Sequence, residues 1–105
     1  MLIIETPVFT KRIQDLLTDD EYRRLQTALI RRPDQGAVIP GARGLRKIRW
    51  ITLDHGKRGG MRIIYFWDKP SERLFMLFAY SKREVEDLTQ SQLKVLARLI
   101  EEEFK

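Results

Sequence analysis

MRIIYFWDKPSERLFMLFAY, residues 61–80, reads as the centre of a β-sheet. Met61 to Asp68 is rich in β-branched and aromatic residues and apolar at both odd and even positions, which is the composition of a strand covered on both faces. Lys69-Pro70-Ser71-Glu72 is polar, contains proline and turns the chain. Arg73 to Tyr80 then returns as a second strand of the same character. Two such runs joined by a short turn predict adjacent antiparallel strands at the centre of a sheet.

Upstream, Leu45, Lys47, Arg49, Ile51 and Leu53 alternate with Arg46, Ile48, Trp50 and Thr52. This period of two predicts a third strand from Leu45 to Leu53, with Lys47 and Arg49 on one face. Asp54 to Gly60 (DHGKRGG) is the turn that joins it to Met61. The N-terminal part reads as one short strand, Leu2 to Glu5, followed by two helices. Thr6-Pro7 is a helix start, because proline at the first helical position has no N–H to leave unpaired. Phe9, Ile13, Leu16 and Leu17 then form one apolar stripe. Thr18 with Glu21 is a capping box that opens a second helix to about Ile30, with Tyr22, Leu25, Ala28 and Leu29 inward, and Pro33 to Gly36 ends it. Ala37 to Gly44 is a connection rich in proline and glycine. Thr89 with Gln92 is another capping box, before a final helix that aligns Leu93, Leu96, Ala97, Ile100 and Phe104.

The expected order is β-α-α-β-β-β-α in one domain spanning residues 1–105. Its class is α+β: an antiparallel meander with an N-terminal helical hairpin and a C-terminal helix. The helices are expected to cover one face, leaving the other as a concave surface for outward polar residues.

Charge is concentrated in one segment. Residues 43–62 hold seven cations and one anion, a net +6, whereas the whole chain carries +5. A strong local field of this sign collects polyanions. The meander folds that segment so that Lys47, Arg49 and Arg62 approach Tyr80, Lys82 and Arg83 at the end of the last strand, with Arg46 beside them in sequence and Lys57 and Arg58 on a nearby loop. Arg62, a charge inside an apolar strand, is the informative residue. It either grips an anion or pairs with a carboxylate such as Asp54 or Glu84.

The composition also excludes chemistry. There is no cysteine, hence no disulfide, thiol nucleophile or thiolate metal site, which is compatible with a reducing cytosol. The one histidine, His55, falls in a turn and cannot alone build a typical zinc site or a His–His acid–base pair. The apolar runs are too short to cross a bilayer, and the opening MLIIETP has no features of a signal peptide. Any catalysis must rest on lysine, arginine, tyrosine or carboxylates, with no cofactor.

GLRKIRW (44–50), GGMRIIYFW (59–67) and LFAYSKREVEDLT (77–89), with a helical hairpin before them and a helix after, resemble the RelE-like toxins of type II toxin–antitoxin systems. The resemblance is greatest to the HigB-type branch. It implies a cytoplasmic endoribonuclease that cleaves messenger RNA on ribosomes and inhibits translation. The implied partner is a cognate antitoxin, a helix-turn-helix protein through which any contact with DNA would be indirect. Lys47 and Arg49 match the family's basic strand pair, Arg62 its strand-start arginine, and Lys82 and Arg83 the basic residues closing the last strand. A tyrosine that often follows in the family has no counterpart, since Asp87 and Leu88 stand there, and Tyr80 is the aromatic hydroxyl beside the patch. Attack by an RNA 2′-hydroxyl needs stabilisation of the phosphorane charge and protonation of the 5′-oxygen. Clustered arginines supply the first, and Lys47 or Lys82 could act in proton transfer. Arg62, whose fork grips two oxygens, is the expected phosphate clamp. A non-catalytic RNA- or ribosome-binding module using the same patch is the alternative.

Overall fold

In the computed structural model, which describes residues 1–51, 60–85 and 87–103, Thr6 serves two elements at once. It follows strand β1 (Leu2–Glu5) and caps helix α1 (Pro7–Leu16), its side chain accepting from the Phe9 N–H at 3.1 Å. The Thr6 hydroxyl also donates to the Leu77 carbonyl at 2.8 Å, tying the helix start to the sheet. Helix α2 (Asp19–Arg31) begins at the expected capping box, with both reciprocal bonds between Thr18 and Glu21 present. Strands β2 (Ala37–Val38), β3 (Arg46–Trp50), β4 (Met61–Asp68) and β5 (Arg73–Ser81) precede helix α3 (Gln90–Glu103). The Thr89–Gln92 box opens α3, with bonds of 2.8 and 3.1 Å.

The described strands form one sheet in the order β1-β5-β4-β3-β2. The meander β3-β4-β5 is antiparallel as the sequence implies. Two strands add to it. β2 lies in the connection rich in proline and glycine and pairs antiparallel with β3. β1 pairs parallel with β5, so the sheet is mixed. That parallel pairing follows from α1 and α2 carrying the chain from one edge of the sheet across to the other.

The expectation of helices on one face only is overturned. Phe9, Ile13, Leu16, Leu25 and Leu29 from α1 and α2 pack with Ile48, Met61, Ile63, Tyr65, Leu74 and Met76 on one face. Leu93, Leu96, Ala97 and Ile100 from α3 pack with Ile64, Phe75, Leu77 and Tyr80 on the other. The physical reason lies in the central strands themselves. β4 and β5 are apolar on both sides, and each fully buried Leu, Ile or Phe contributes about 1.5–3 kcal/mol relative to exposure, so neither face can be left to water. Among the described residues, Lys47, Arg49 and Arg62 lie toward one end of the α3 face.

A bulge shifts the register within the central pair. Ile64 is opposite Phe78 while Tyr65 is opposite Met76, leaving Leu77 as the extra residue. Its carbonyl is the one that Thr6 secures. Such bulges re-aim side chains beside functional sites, and here the residues beyond it toward the end of β5 include Tyr80.

Candidate nucleic-acid interface

Three strands place three of the predicted side chains in one row. Arg49 on β3 is opposite Arg62 on β4, and Arg62 is opposite Tyr80 on β5. Lys47 lies on the same face as Arg49, two residues along β3, opposite Ile64. The Lys82 N–H bonds to the Gly60 carbonyl at 3.3 Å, which fixes Lys82 at the end of β5 beside the start of β4, one residue before Arg62. Lys47, Arg49, Arg62, Tyr80 and Lys82 thus converge at one end of the α3 face.

Burial within the group is uneven. Arg49 and Lys82 are exposed and Lys47 is half-buried, whereas Arg62 is only 9% exposed and Tyr80 is fully buried. The Tyr80 hydroxyl has no hydrogen-bond partner among the described residues. Burial raises its pKa, the Asp87 carboxylate raises it further, and Arg62 works in the opposite direction. At neutral pH Tyr80 is therefore a protonated hydroxyl, able to donate a hydrogen bond but unsuited to act as a base.

Asp87 enters the site from the connection between β5 and α3. Its carboxylate accepts from Lys47 Nζ at 2.8 Å. That hydrogen bond first, and then the charge of Lys47, hold the Asp87 carboxyl below its ordinary range, with Arg62 and Lys82 adding to the effect. In the sequence Asp87 stands out only as the place where a tyrosine is missing. Lys47 and Asp87 are 40 positions apart, so no local spacing could announce the pair.

The remaining predicted residues are placed differently. Arg83 is exposed in the turn after β5, its N–H bonded to the Ser81 hydroxyl at 3.2 Å. Arg46 points to the opposite face, where its guanidinium donates to the carbonyls of Asp34 (3.0 Å) and Gly36 (2.8 Å). It braces the link between α2 and β2 and stands apart from the row. Lys57 and Arg58 lie outside the described residues, as does Asp54. Glu84, the other carboxylate considered for Arg62, pairs with Arg12 at 2.8 Å and accepts from the Ser81 N–H at 3.2 Å. Arg12, not singled out from sequence, also donates to the Ala79 carbonyl at 2.5 Å and stacks over Phe78 at 4.9 Å. It secures the turn that carries Lys82 and Arg83.

Chemically, the arrangement offers a buried guanidinium, an exposed guanidinium and two ammonium groups around one surface, with a neutral phenol buried beneath them. Such a set neutralises phosphate and stabilises charge that develops on it. Among the described residues no helix is long and apolar enough to cross a membrane.

No family model matches the chain. Among solved structures it is similar to a mutant of the E. coli toxin RelE in the free state, with a TM-score of 0.56 and 16% sequence identity, over 81% of this chain and 86% of that one. The chain therefore has the fold of the RelE-like toxins.

Proposed function

We propose that the protein is the toxin of a type II toxin–antitoxin system of the HigB-type branch, an endoribonuclease that cleaves messenger RNA in the cytoplasm, on the ribosome. The observation that carries this reading is the row Arg49–Arg62–Tyr80 across three adjacent strands, flanked by Lys47 and Lys82 at the same sheet end. The fold shared with the toxin RelE supports it.

In the mechanism, the scissile phosphate lies against Arg62, whose planar fork takes two of its oxygens. The adjacent 2′-hydroxyl attacks phosphorus in line, its proton leaves to water, and the bond to the 5′-oxygen breaks. Lys82, exposed at the strand end, delivers a proton to that oxygen and is recharged from water. Arg49 and Lys47 share the additional negative charge of the phosphorane. Tyr80 donates its hydroxyl proton as a hydrogen bond without ionising. The products are a 2′,3′-cyclic phosphate and a 5′-hydroxyl. Arg83, Lys57 and Arg58 hold the flanking backbone.

Purified protein added to translating ribosomes tests this. Expected are messenger fragments ending in a 2′,3′-cyclic phosphate, and their loss with Arg62→Ala and Lys82→Ala. RNA that is bound in a salt-sensitive way yet stays intact would assign the patch to a non-catalytic RNA- or ribosome-binding module.

A further inference from the structure

The basic row is not an empty anion site, because an anion of the chain itself stands in it. Asp87 reaches Lys47 at 2.8 Å and lies close enough to Arg62 and Lys82 to be influenced by both. Its own side chain is 68% exposed against 34% for Lys47, so charge and not packing holds it there. It follows the turn at residues 82–84 and precedes α3, where a side-chain rotation disturbs no strand or helix. Behind the pair is a cavity of about 30 Å³ lined by Lys47, Asp87, Ile64, Leu88 and Tyr80, room enough for a water molecule and far too small for a nucleotide. The unpartnered Tyr80 hydroxyl lies in this buried layer. With the pair closed, Lys47 already has its anion.

We propose that Asp87 is an internal occupant of the phosphate site, a carboxylate latch that RNA displaces from Lys47 before its own phosphate can sit among Lys47, Arg62 and Lys82. This rests on the patch being an RNA site. The latch lowers affinity for short or weakly held RNA. A strand that engages Arg49 and the other cations together supplies enough competing charge to open it. The carboxylate stays ionised at neutral pH, so opening occurs by competition between anions and not by protonation.

The test is binding of a fluorescein-labelled, single-stranded 2′-O-methyl RNA, which lacks the nucleophile, to the full chain and its Asp87→Asn, Asp87→Glu, Lys47→Met and doubly substituted forms. Thermal melts confirm folding of each. Asp87→Asn is expected to bind roughly two- to tenfold tighter, the range of a partly exposed ion pair reinforced by two further cations. Its plot of log affinity against log salt keeps nearly the same slope, because RNA displaces the latch in the unsubstituted chain and the same phosphates are neutralised in both. Asp87→Glu retains the latch, and in the Lys47→Met background the gain from Asp87→Asn shrinks. Equal or weaker binding by Asp87→Asn overturns the proposal, as does a gain that is undiminished without Lys47. A fall in cleavage rate at saturating RNA would also overturn it, making Asp87 a positioning residue for Lys47. Failure of every form to bind RNA, the unsubstituted chain included, would sink the RNA reading and the latch with it. Failure of Asp87→Asn alone sinks only the latch.

Discussion

Arg62 and Tyr80 face each other as register partners on β4 and β5, both buried at a sheet end that is otherwise charged. A buried hydroxyl without a partner is a stability defect, and its removal in an apolar isostere relieves the desolvation penalty. Tyr80→Phe is therefore expected to leave stability unchanged or raise it by up to about 1 kcal/mol, while RNA cleavage falls. Denaturant titration beside the cleavage assay checks both arms. A loss of stability well above about 1 kcal/mol would mean the hydroxyl is bonded, for instance to water in the adjoining cavity.

Arg62→Lys separates the geometry of the guanidinium from its charge. Lysine keeps the positive charge but has one point of donation where arginine has a planar fork. We expect cleavage to fall by roughly 10²-fold or more, the size seen when one preorganised donor to a developing charge is lost. The melting temperature should shift far less than with Arg62→Ala, which leaves a cavity. Cleavage retained within a few-fold would show that Arg62 acts only through net charge.

How legible was this site in the sequence? Elements set by local rules were readable: Thr6-Pro7, the Thr18–Glu21 and Thr89–Gln92 boxes, and the limits of β4 all stand where the residues place them. The row Arg49–Arg62–Tyr80 followed from a meander with short turns. What depends on distant partners was not readable. The parallel docking of β1 on β5, the passage of α3 to the second face and the direction of Arg46 are decided by tertiary packing. The same holds for the Lys47–Asp87 pair, which becomes local only once the sheet has formed.

Gly36 is needed for a different reason. A Cβ there would lie 2.7 Å from both the Cε1 and the hydroxyl oxygen of Tyr65, a buried ring in the α1/α2 core. The Tyr65 hydroxyl also accepts from the Gly36 N–H at 2.9 Å and donates to the Pro33 carbonyl at 2.7 Å, so the ring cannot simply retreat. Gly36→Ala should destabilise by about 1–3 kcal/mol, the usual cost of overpacking. Urea unfolding measures it, and a change under about 0.5 kcal/mol, ordinary for a surface site, would contradict the packing described.

The chain has three tyrosines, and all are shifted upward. Burial leads in each case. At Tyr22 the hydrogen bond to Glu5 and the charge of that carboxylate add to it, and at Tyr80 the Asp87 carboxylate does. The unfolded chain would ionise these phenols near 10.0. Their contribution to stability is thus fully present below that pH and is lost as pH rises from there toward the folded values. In an alkaline titration the phenolate absorbance should appear together with unfolding followed by circular dichroism. A phenolate step near 10.0 with the circular dichroism unchanged would contradict the burial of these side chains.

Whether Arg62 and Lys82 cleave messenger RNA is measured by expressing the unsubstituted chain and its Arg62→Ala and Lys82→Ala variants in growing cells and mapping the 5′ ends of messenger RNA after induction. Arrested growth and new 5′-hydroxyl ends within translated messages are expected for the unsubstituted chain, and restored growth with intact messages for both folded variants. Intact messages after expression of the unsubstituted chain, or variants as toxic as it is, would contradict cleavage by these residues.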